Sequence, residues 1–466
     1  MSLELARCLD DPQALWEELE ERWRRGSLVG LALPQERPLL TAAVLGDAAA
    51  PPGGPHAAWR QALVLGSGGS SGGRRWCLQP LEHLQASAAA CAVWLAAQGI
   101  DPERCLHLAA LPLHHVSGLM PLIRARQWRA ELRWLPPDLL RRPARLPRSC
   151  PLPAGRPVLL SLVPTQLQRL LDSPEALAWL RRCSVIWVGG AALSADLAAR
   201  SRAAGLPLAP CYGATETAAM VCALPPRRFL AGEQGCGPPL GDVELRLEGA
   251  AGAIAVRSAR LSPGWFEAGR LHPFQDTEGW WRSGDAGAWN AGPGADALSL
   301  IIHGRLDGAI HSGGETVFPE QVRQQLLVLI HDAARPVQEL LLLAETDALW
   351  GERLVALVRL RTTGQAAPGD MTEEQELRRL ADLARALPPS QRPARWLSCP
   401  SLAPSEAGKW RLGHWRQWLQ PQPTSIDGTA TAAVRLPEGR TPPASAESAP
   451  AGDSADDPRS GSPDGG

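Results

Sequence analysis

The sequence predicts an α/β protein: a large N-terminal domain of mostly parallel sheets and helices plus a β-rich section, followed by a small α+β C-terminal domain. Short apolar runs alternate with helical patterns from about residue 105 to 260. Period-two alternation then extends to residue 303, and a second strand-and-helix series begins after Gly304–Asp307.

Each element follows from local signals. Leu9–Arg25 reads as an amphipathic helix, capped by Asp10 or Asp11, with Pro12 in its first turn and Gly26 as its stop. The apolar run Ala62–Leu65 leads into a Gly/Ser-rich stretch, and Glu82–Gln98 is an Ala-rich helix ending at Gly99. Val158–Val163 reads as a buried strand with a helix through Leu167–Leu171 behind it. Val185–Val188 is a second strand. Ser194 then caps a helix that stops at Gly205, and Leu206–Ala209 returns as a strand. This βαβ order implies parallel pairing. Ala253–Arg257 and Leu298–His303 are strands of the β-rich section. Pro319 opens a helix to about Ile330, Leu340–Leu343 and Leu354–Leu360 read as strands, and Glu373–Ala386 as a helix. From about Pro421 the chain is rich in Pro, Ser, Ala, Gly and Asp and reads as a disordered tail. The expected divisions are 1–303, 304–420 and 421–466.

Composition narrows the function. The chain has 466 residues, 45% of them hydrophobic, enough for a sizeable core. A formal net charge of −1 argues against a nucleic-acid or anionic-membrane partner. No apolar run reaches the ~18–20 residues of a membrane span, and the acidic N-terminus does not resemble a signal peptide. The ten cysteines are scattered without a C-x-x-C pair, as expected of reduced thiols in a cytoplasmic protein. Lys409 is the one lysine among 47 basic residues, Tyr212 the one tyrosine and Asn290 the one asparagine. Codon bias explains such depletion, but an arginine cannot replace a compact ammonium where one is needed.

Five stretches carry chemistry. Gly66-Ser-Gly-Gly-Ser-Ser-Gly-Gly-Arg-Arg75 offers backbone and hydroxyl donors for an anion, yet it lacks a Walker ending and also suits a surface linker. The second comprises two segments, Val188-Gly-Gly-Ala191 and then, after a strand, Cys211-Tyr-Gly-Ala-Thr-Glu-Thr217. In the latter an aromatic face, a hydroxyl and a carboxylate fall within five residues, a set that could stack a base, hold a phosphate oxygen and ligate Mg²⁺; an ordinary turn with a solvated Glu216 has the same spacing. The others are Gly279-Trp-Trp-Arg-Ser-Gly-Asp285, Gly304-Arg-Leu-Asp-Gly-Ala-Ile-His-Ser-Gly-Gly-Glu-Thr-Val-Phe-Pro-Glu-Gln-Val322 and Pro404-Ser-Glu-Ala-Gly-Lys-Trp-Arg411.

In this order and at these separations, the five stretches resemble the motifs of the acyl-adenylate-forming (AMP-binding) superfamily of acyl-CoA ligases, luciferases and peptide-synthetase adenylation domains, over roughly residues 60–420. Within it, Leu111-Pro-Leu-His-His-Val-Ser-Gly118, Ser161-Leu-Val-Pro-Thr-Gln-Leu-Gln-Arg-Leu-Leu171 and the short length look most like the o-succinylbenzoate–CoA ligases of menaquinone and phylloquinone biosynthesis.

The resemblance implies roles position by position. Ser67, Gly68, Gly69, Ser70, Ser71, Gly72 and Arg75 match the phosphate loop, with Arg75 at its usual lysine and Arg74 at its usual proline. Gly189, Gly190 and Ala191 should line the nucleotide and acyl pocket. Tyr212 should lie on adenine with Gly213 beside it, Thr215 bond the α-phosphate, and Glu216 hold Mg²⁺. Asp285 should take the ribose hydroxyls next to Arg305. Asp307 matches a hinge about which a mobile small domain turns, Gly313 and Gly314 the loop admitting the pantetheine arm of CoA, and Lys409 the adenylation lysine. His115, Ser117 and Thr165 are the acyl-pocket candidates; the group for a second substrate carboxylate is not legible. The implied partners are ATP, Mg²⁺, CoA and a small carboxylic acid. Another acyl- or aryl-CoA ligase, or an adenylation domain loading a carrier protein, fits the same motifs. A non-catalytic nucleotide-binding relative fits poorly, because Lys409, Glu216 and Asp285 are all kept.

Overall fold

The computed structural model describes residues 2–46, 61–68, 74–291, 298–361, 372–404, 410–419 and 433–435. Its central sheet runs in the order Ala219–Ala223, Leu208–Ala214, Val185–Val188, Val158–Leu162, Leu106–Ala109, Glu131–Trp134. All neighbours are parallel except the first pair, an antiparallel hairpin. Side chains alternate across it, as a strand requires. Leu160, Leu162, Ile186 and Val188 pack with the helices Pro164–Leu171, Pro174–Leu180 and Ala195–Ala203. Leu159, Val185 and Trp187 face the other way, with Cys91, Leu95 and Trp128 of the helices Leu81–Ala96 and Val116–Trp128.

A second, mixed sheet orders Leu3–Leu5, Leu28–Leu31, Ala62–Gly68, Arg74–Pro80, Trp265–Glu267 and Arg270–His272. A third, antiparallel, is built of Glu244–Glu248, Ala253–Arg257, Trp281–Asn290 and Ser299–Arg305. A fourth sheet draws only on residues after 309: Glu315–Val317, Ile310–Ser312, Gly351–Leu360, Arg395–Ser398 and Ala433–Arg435, with Val337–Asp347 paired to Gly351–Leu360. It has cores of its own, with Leu340, Leu342 and Trp396 facing the helices Pro319–Asp332 and Glu373–Leu383, and Leu341, Leu343 and Leu357 facing Trp415.

The helix capped by Asp11 runs Pro12–Arg24; the Asp11 carboxylate accepts from the amides of Gln13 at 2.8 Å and Ala14 at 3.1 Å. Ser194 caps its helix through the Leu197 amide at 3.2 Å. Three readings change. Gly66–Gly68 belong to a strand, not to a loop, and pair with Arg74–Trp76. The run expected at Leu340–Leu343 is an 11-residue strand, Val337–Asp347, because its polar ends continue the ladder with Gly351–Leu360. Within the expected tail, Ala433–Arg435 form a strand; the rest of 421–466 lies outside the described residues.

Candidate nucleotide and acyl site

The hairpin Leu208–Ala214/Ala219–Ala223 carries the chemistry at its tip. Gly213 is required there, since a Cβ would stand 2.1 Å from the Ala219 carbonyl oxygen. Tyr212 and Glu216 flank the tip and reach different neighbours. The Tyr212 hydroxyl donates to Asp285 Oδ2 at 2.7 Å. Burial, and then the Asp285 charge, push this phenol well above its usual range. Asp285 itself is raised, chiefly by burial, against the opposing pull of Tyr212 and Arg305. Arg305 lies 3.4 Å from Asp285 Oδ1 and 3.2 Å from Asp307, and donates to the Ser283 carbonyl at 2.9 Å. The residues expected at adenine, ribose and hinge therefore form one connected cluster, in which the phenol of Tyr212 is anchored on the carboxylate of Asp285.

At the other end, buried Glu216 accepts on Oε1 from the Ser67 hydroxyl at 2.7 Å and from the Trp265 indole at 3.1 Å. The Arg75 guanidinium lies 4.6 Å over the Trp265 ring. Arg74 is instead ion-paired with Glu36, which leaves Arg75 as the exposed cation at the start of the strand Arg74–Pro80. Gly69, Ser70, Ser71, Gly72 and Lys409 lie outside the described residues. Among the described residues no cluster of three His, Cys, Asp or Glu side chains could cage a metal, and no hydrogen bond occupies Glu216 Oε2. That donor set fits Mg²⁺, which takes one or two protein carboxylates and completes its shell with phosphates and water.

The AMP-binding enzyme family model matches residues 32–266. The chain belongs to this family. Over 241 residues it is 32% identical to the 2-succinylbenzoate–CoA ligase of Salmonella typhimurium strain LT2, a match covering 52% of this chain and 46% of that protein. The chain thus spans about half the length of the first curated relatives it matches, 46% and 50%. Its fold resembles o-succinylbenzoate CoA synthetase (MenE) from Bacillus subtilis in complex with the acyl-adenylate intermediate OSB-AMP, with a TM-score of 0.67, 18% identity and coverage of 89% of this chain and 87% of that one. The same synthetase in complex with ATP and magnesium ion gives 0.65, 18%, 89% and 88%. At that identity the likeness shows the fold.

The acyl-pocket candidates fare differently in this AMP-binding fold. His115 precedes the helix Val116–Trp128 at its N-cap, its ring 4.3 Å from that of buried His114. Ser117 is exposed on the first turn. The Thr165 hydroxyl is buried without a partner and, with Ala191, Arg305, Phe318, Pro404 and Trp410, lines a cleft of about 1250 Å³. Pro404 and Trp410, the described residues nearest to Lys409 in the chain, thus border the same cleft as Thr165 and Ala191. Gly189 and Gly190 end the strand Val185–Val188; a Cβ on Gly189 would stand 2.9 Å from Cys211 Sγ. Gly313 and Gly314, at φ +60° and +84°, form the two-residue turn between Ile310–Ser312 and Glu315–Val317.

One residue absent from the sequence reading is Arg124, on the helix that His115 opens. It is 4% exposed, its guanidinium 4.6 Å over the Trp187 ring and 3.3 Å from Cys91 Sγ, with Nε unpaired. Among the described residues it has no carboxylate partner. Burial, then the Arg124 and Arg156 charges, lower the His107 pKa to about 3, so this imidazole adds no second positive charge beside Arg124. Trp187, under the guanidinium, directly precedes Val188–Gly189 in the chain.

Proposed function

We propose that the chain is an ATP-dependent acid–CoA ligase that converts o-succinylbenzoate, ATP and CoA to o-succinylbenzoyl-CoA, AMP and diphosphate through an acyl-adenylate. The observation that carries this reading is the hairpin tip: within five residues it binds Asp285 through Tyr212 and Ser67 through Glu216. That geometry supports a reading with a ribose-type acceptor at one end and a phosphate-type site at the other. Asp285, whose carboxylate form Tyr212 and Arg305 favour against burial, accepts the ribose hydroxyls, and the exposed rim of Tyr212 meets the base. Thr215, Ser67 and Arg75 surround the phosphates. Bound at Glu216, Mg²⁺ offsets phosphate charge.

Attack of a carboxylate on the α-phosphate brings two anions together, and Lys409 supplies the ammonium that bridges them as charge builds. Arg124 pairs with the second carboxylate of the acid, which would account for a buried cation that has no carboxylate partner among the described residues. Residues 1–303 form the adenylating domain and 304–420 a small domain that turns about Asp307, withdrawing Lys409 and presenting Gly313–Gly314 to the thiol. The substrates are small and dissolved, and among the described residues no helix is long and apolar enough to cross a membrane. All ten cysteines are free, which supports a reducing, cytoplasmic setting.

Assaying both half-reactions of Lys409→Ala tests this division of labour. Diphosphate release falls by about 100- to 1000-fold, the loss expected for one transition-state contact. Thioesterification of pre-made acyl-AMP persists; equal loss of both would overturn the assignment.

A further inference from the structure

Arg260 lies outside every motif above, yet it is 1% exposed and makes contacts through all three guanidinium nitrogens. Nε donates to Asp242 Oδ2 at 2.6 Å. Nη1 donates to the Thr217 carbonyl at 2.5 Å and lies 3.4 Å from the Ser87 hydroxyl. Nη2 donates to the Met220 carbonyl at 2.9 Å. The two carbonyls bracket Ala218 and Ala219, whose φ values of +50° and +77° are left-handed conformations that alanine rarely adopts. Consecutive left-handed alanines persist only where the surroundings over-determine them.

The next carbonyls along the turn are fixed too: Thr215 O accepts from buried Gln79 Nε2, and Glu216 O from the Ser262 amide at 2.8 Å. Thr217 adds its own side chain, accepting from the Ala214 amide at 2.9 Å and donating to the Ala219 carbonyl at 2.6 Å. Of these anchors, Arg260 joins the carbonyls on either side of the strained pair.

We propose that Arg260 is a positioning residue. By bridging the Thr217 and Met220 carbonyls across the left-handed alanines, it sets the direction in which Thr215 and Glu216 face the phosphates and their metal. Asp242 keeps the guanidinium in that plane through a paired contact on Nε and Nη2. Glycine at position 219 would adopt the same backbone without strain, so the bridge is needed because alanine stands there. The inference rests on the ATP-dependent reading and deepens it.

Calorimetric titration of the full chain with AMPPNP, in Mg²⁺ and in EDTA, tests the bridge without relying on turnover. The wild-type chain binds more tightly with Mg²⁺. In Arg260→Met that Mg²⁺-dependent gain falls about tenfold, and adding Ala219→Gly recovers most of it. A folded Arg260→Met with the wild-type gain, whatever its melting temperature, would overturn the proposal, as would a loss that Ala219→Gly does not relieve. If Arg260→Met does not fold, Arg260→Lys, which reaches one carbonyl at a time, carries the test: an intermediate gain is expected, and a full wild-type gain refutes the bridge. A wild-type chain that does not bind AMPPNP overturns the ATP reading and the bridge together, whereas unchanged Mg²⁺ dependence in the variants overturns the bridge alone.

Discussion

Replacing Arg124 by Met should raise stability and lower activity at once. The guanidinium is 4% exposed, with an indole face at 4.6 Å and a thiol at 3.3 Å in place of an anion. An ion taken out of water without a counter-ion costs several kcal/mol after relaxation. A desolvated cation–π contact returns about 2 kcal/mol, and a thiol is only a weak acceptor. Met fills similar volume with no charge to desolvate, so the variant should gain roughly 1–2 kcal/mol, or about 2–8 °C in Tm on the scaling for mid-sized domains. The acid loses a charge-assisted bond worth roughly 1.5–3 kcal/mol, which lowers kcat/KM for o-succinylbenzoate by about 10- to 100-fold. Thermal denaturation and diphosphate release read the two effects. An analogue without the ring carboxylate serves as control and should be used equally well by both proteins. A fall in Tm, or equal loss on acid and analogue, would refute the claim that Arg124 waits for a substrate anion.

Two further changes probe the cluster and the glycine turn. In Tyr212→Phe, Asp285 loses its 2.7 Å donor while burial still disfavours its charge, so nucleotide affinity should fall by about 10- to 100-fold. Because Asp285 binds as a carboxylate and the hydroxyl holds its pKa down, the acid limb of AMP binding should move to higher pH; an unmoved limb in calorimetric titrations would show that Asp285 does not hold the ribose. Gly313→Ala places a Cβ 2.5 Å from the Trp350 ring at φ +60°; thioesterification should fall at least tenfold with adenylation within twofold, and the reverse pattern would remove the turn from the CoA path.

How much of this could be read from the sequence depended on the range of the interaction. Val185–Val188 and Ala253–Arg257 appear with the limits expected of them, because unbroken apolar or alternating runs lie between clear loop residues. Leu3–Leu5, Trp265–Glu267 and Arg270–His272 were not legible: three-residue strands at or near a sheet edge carry no periodicity of their own. Thr215, Glu216, Tyr212 and Asp285 were found through motif resemblance, not geometry, since nothing in the sequence pairs Tyr212 with a carboxylate 73 residues away. Arg124 and Arg260 were missed for a compositional reason. In a chain whose 47 basic residues are arginine except for Lys409, a buried guanidinium looks like every surface one. The one available signal was that Arg124 interrupts the apolar face of a helix, and 46 arginines made such interruptions unremarkable.

The most direct measurement is diphosphate and AMP release by the purified chain with o-succinylbenzoate against a panel of fatty, cinnamic and amino acids, with and without CoA. An o-succinylbenzoate–CoA ligase releases diphosphate with o-succinylbenzoate, turns over repeatedly only when CoA is present, and leaves the rest of the panel near background. Turnover on a fatty or cinnamic acid with none on o-succinylbenzoate, or transfer to a carrier protein without any response to CoA, would contradict it.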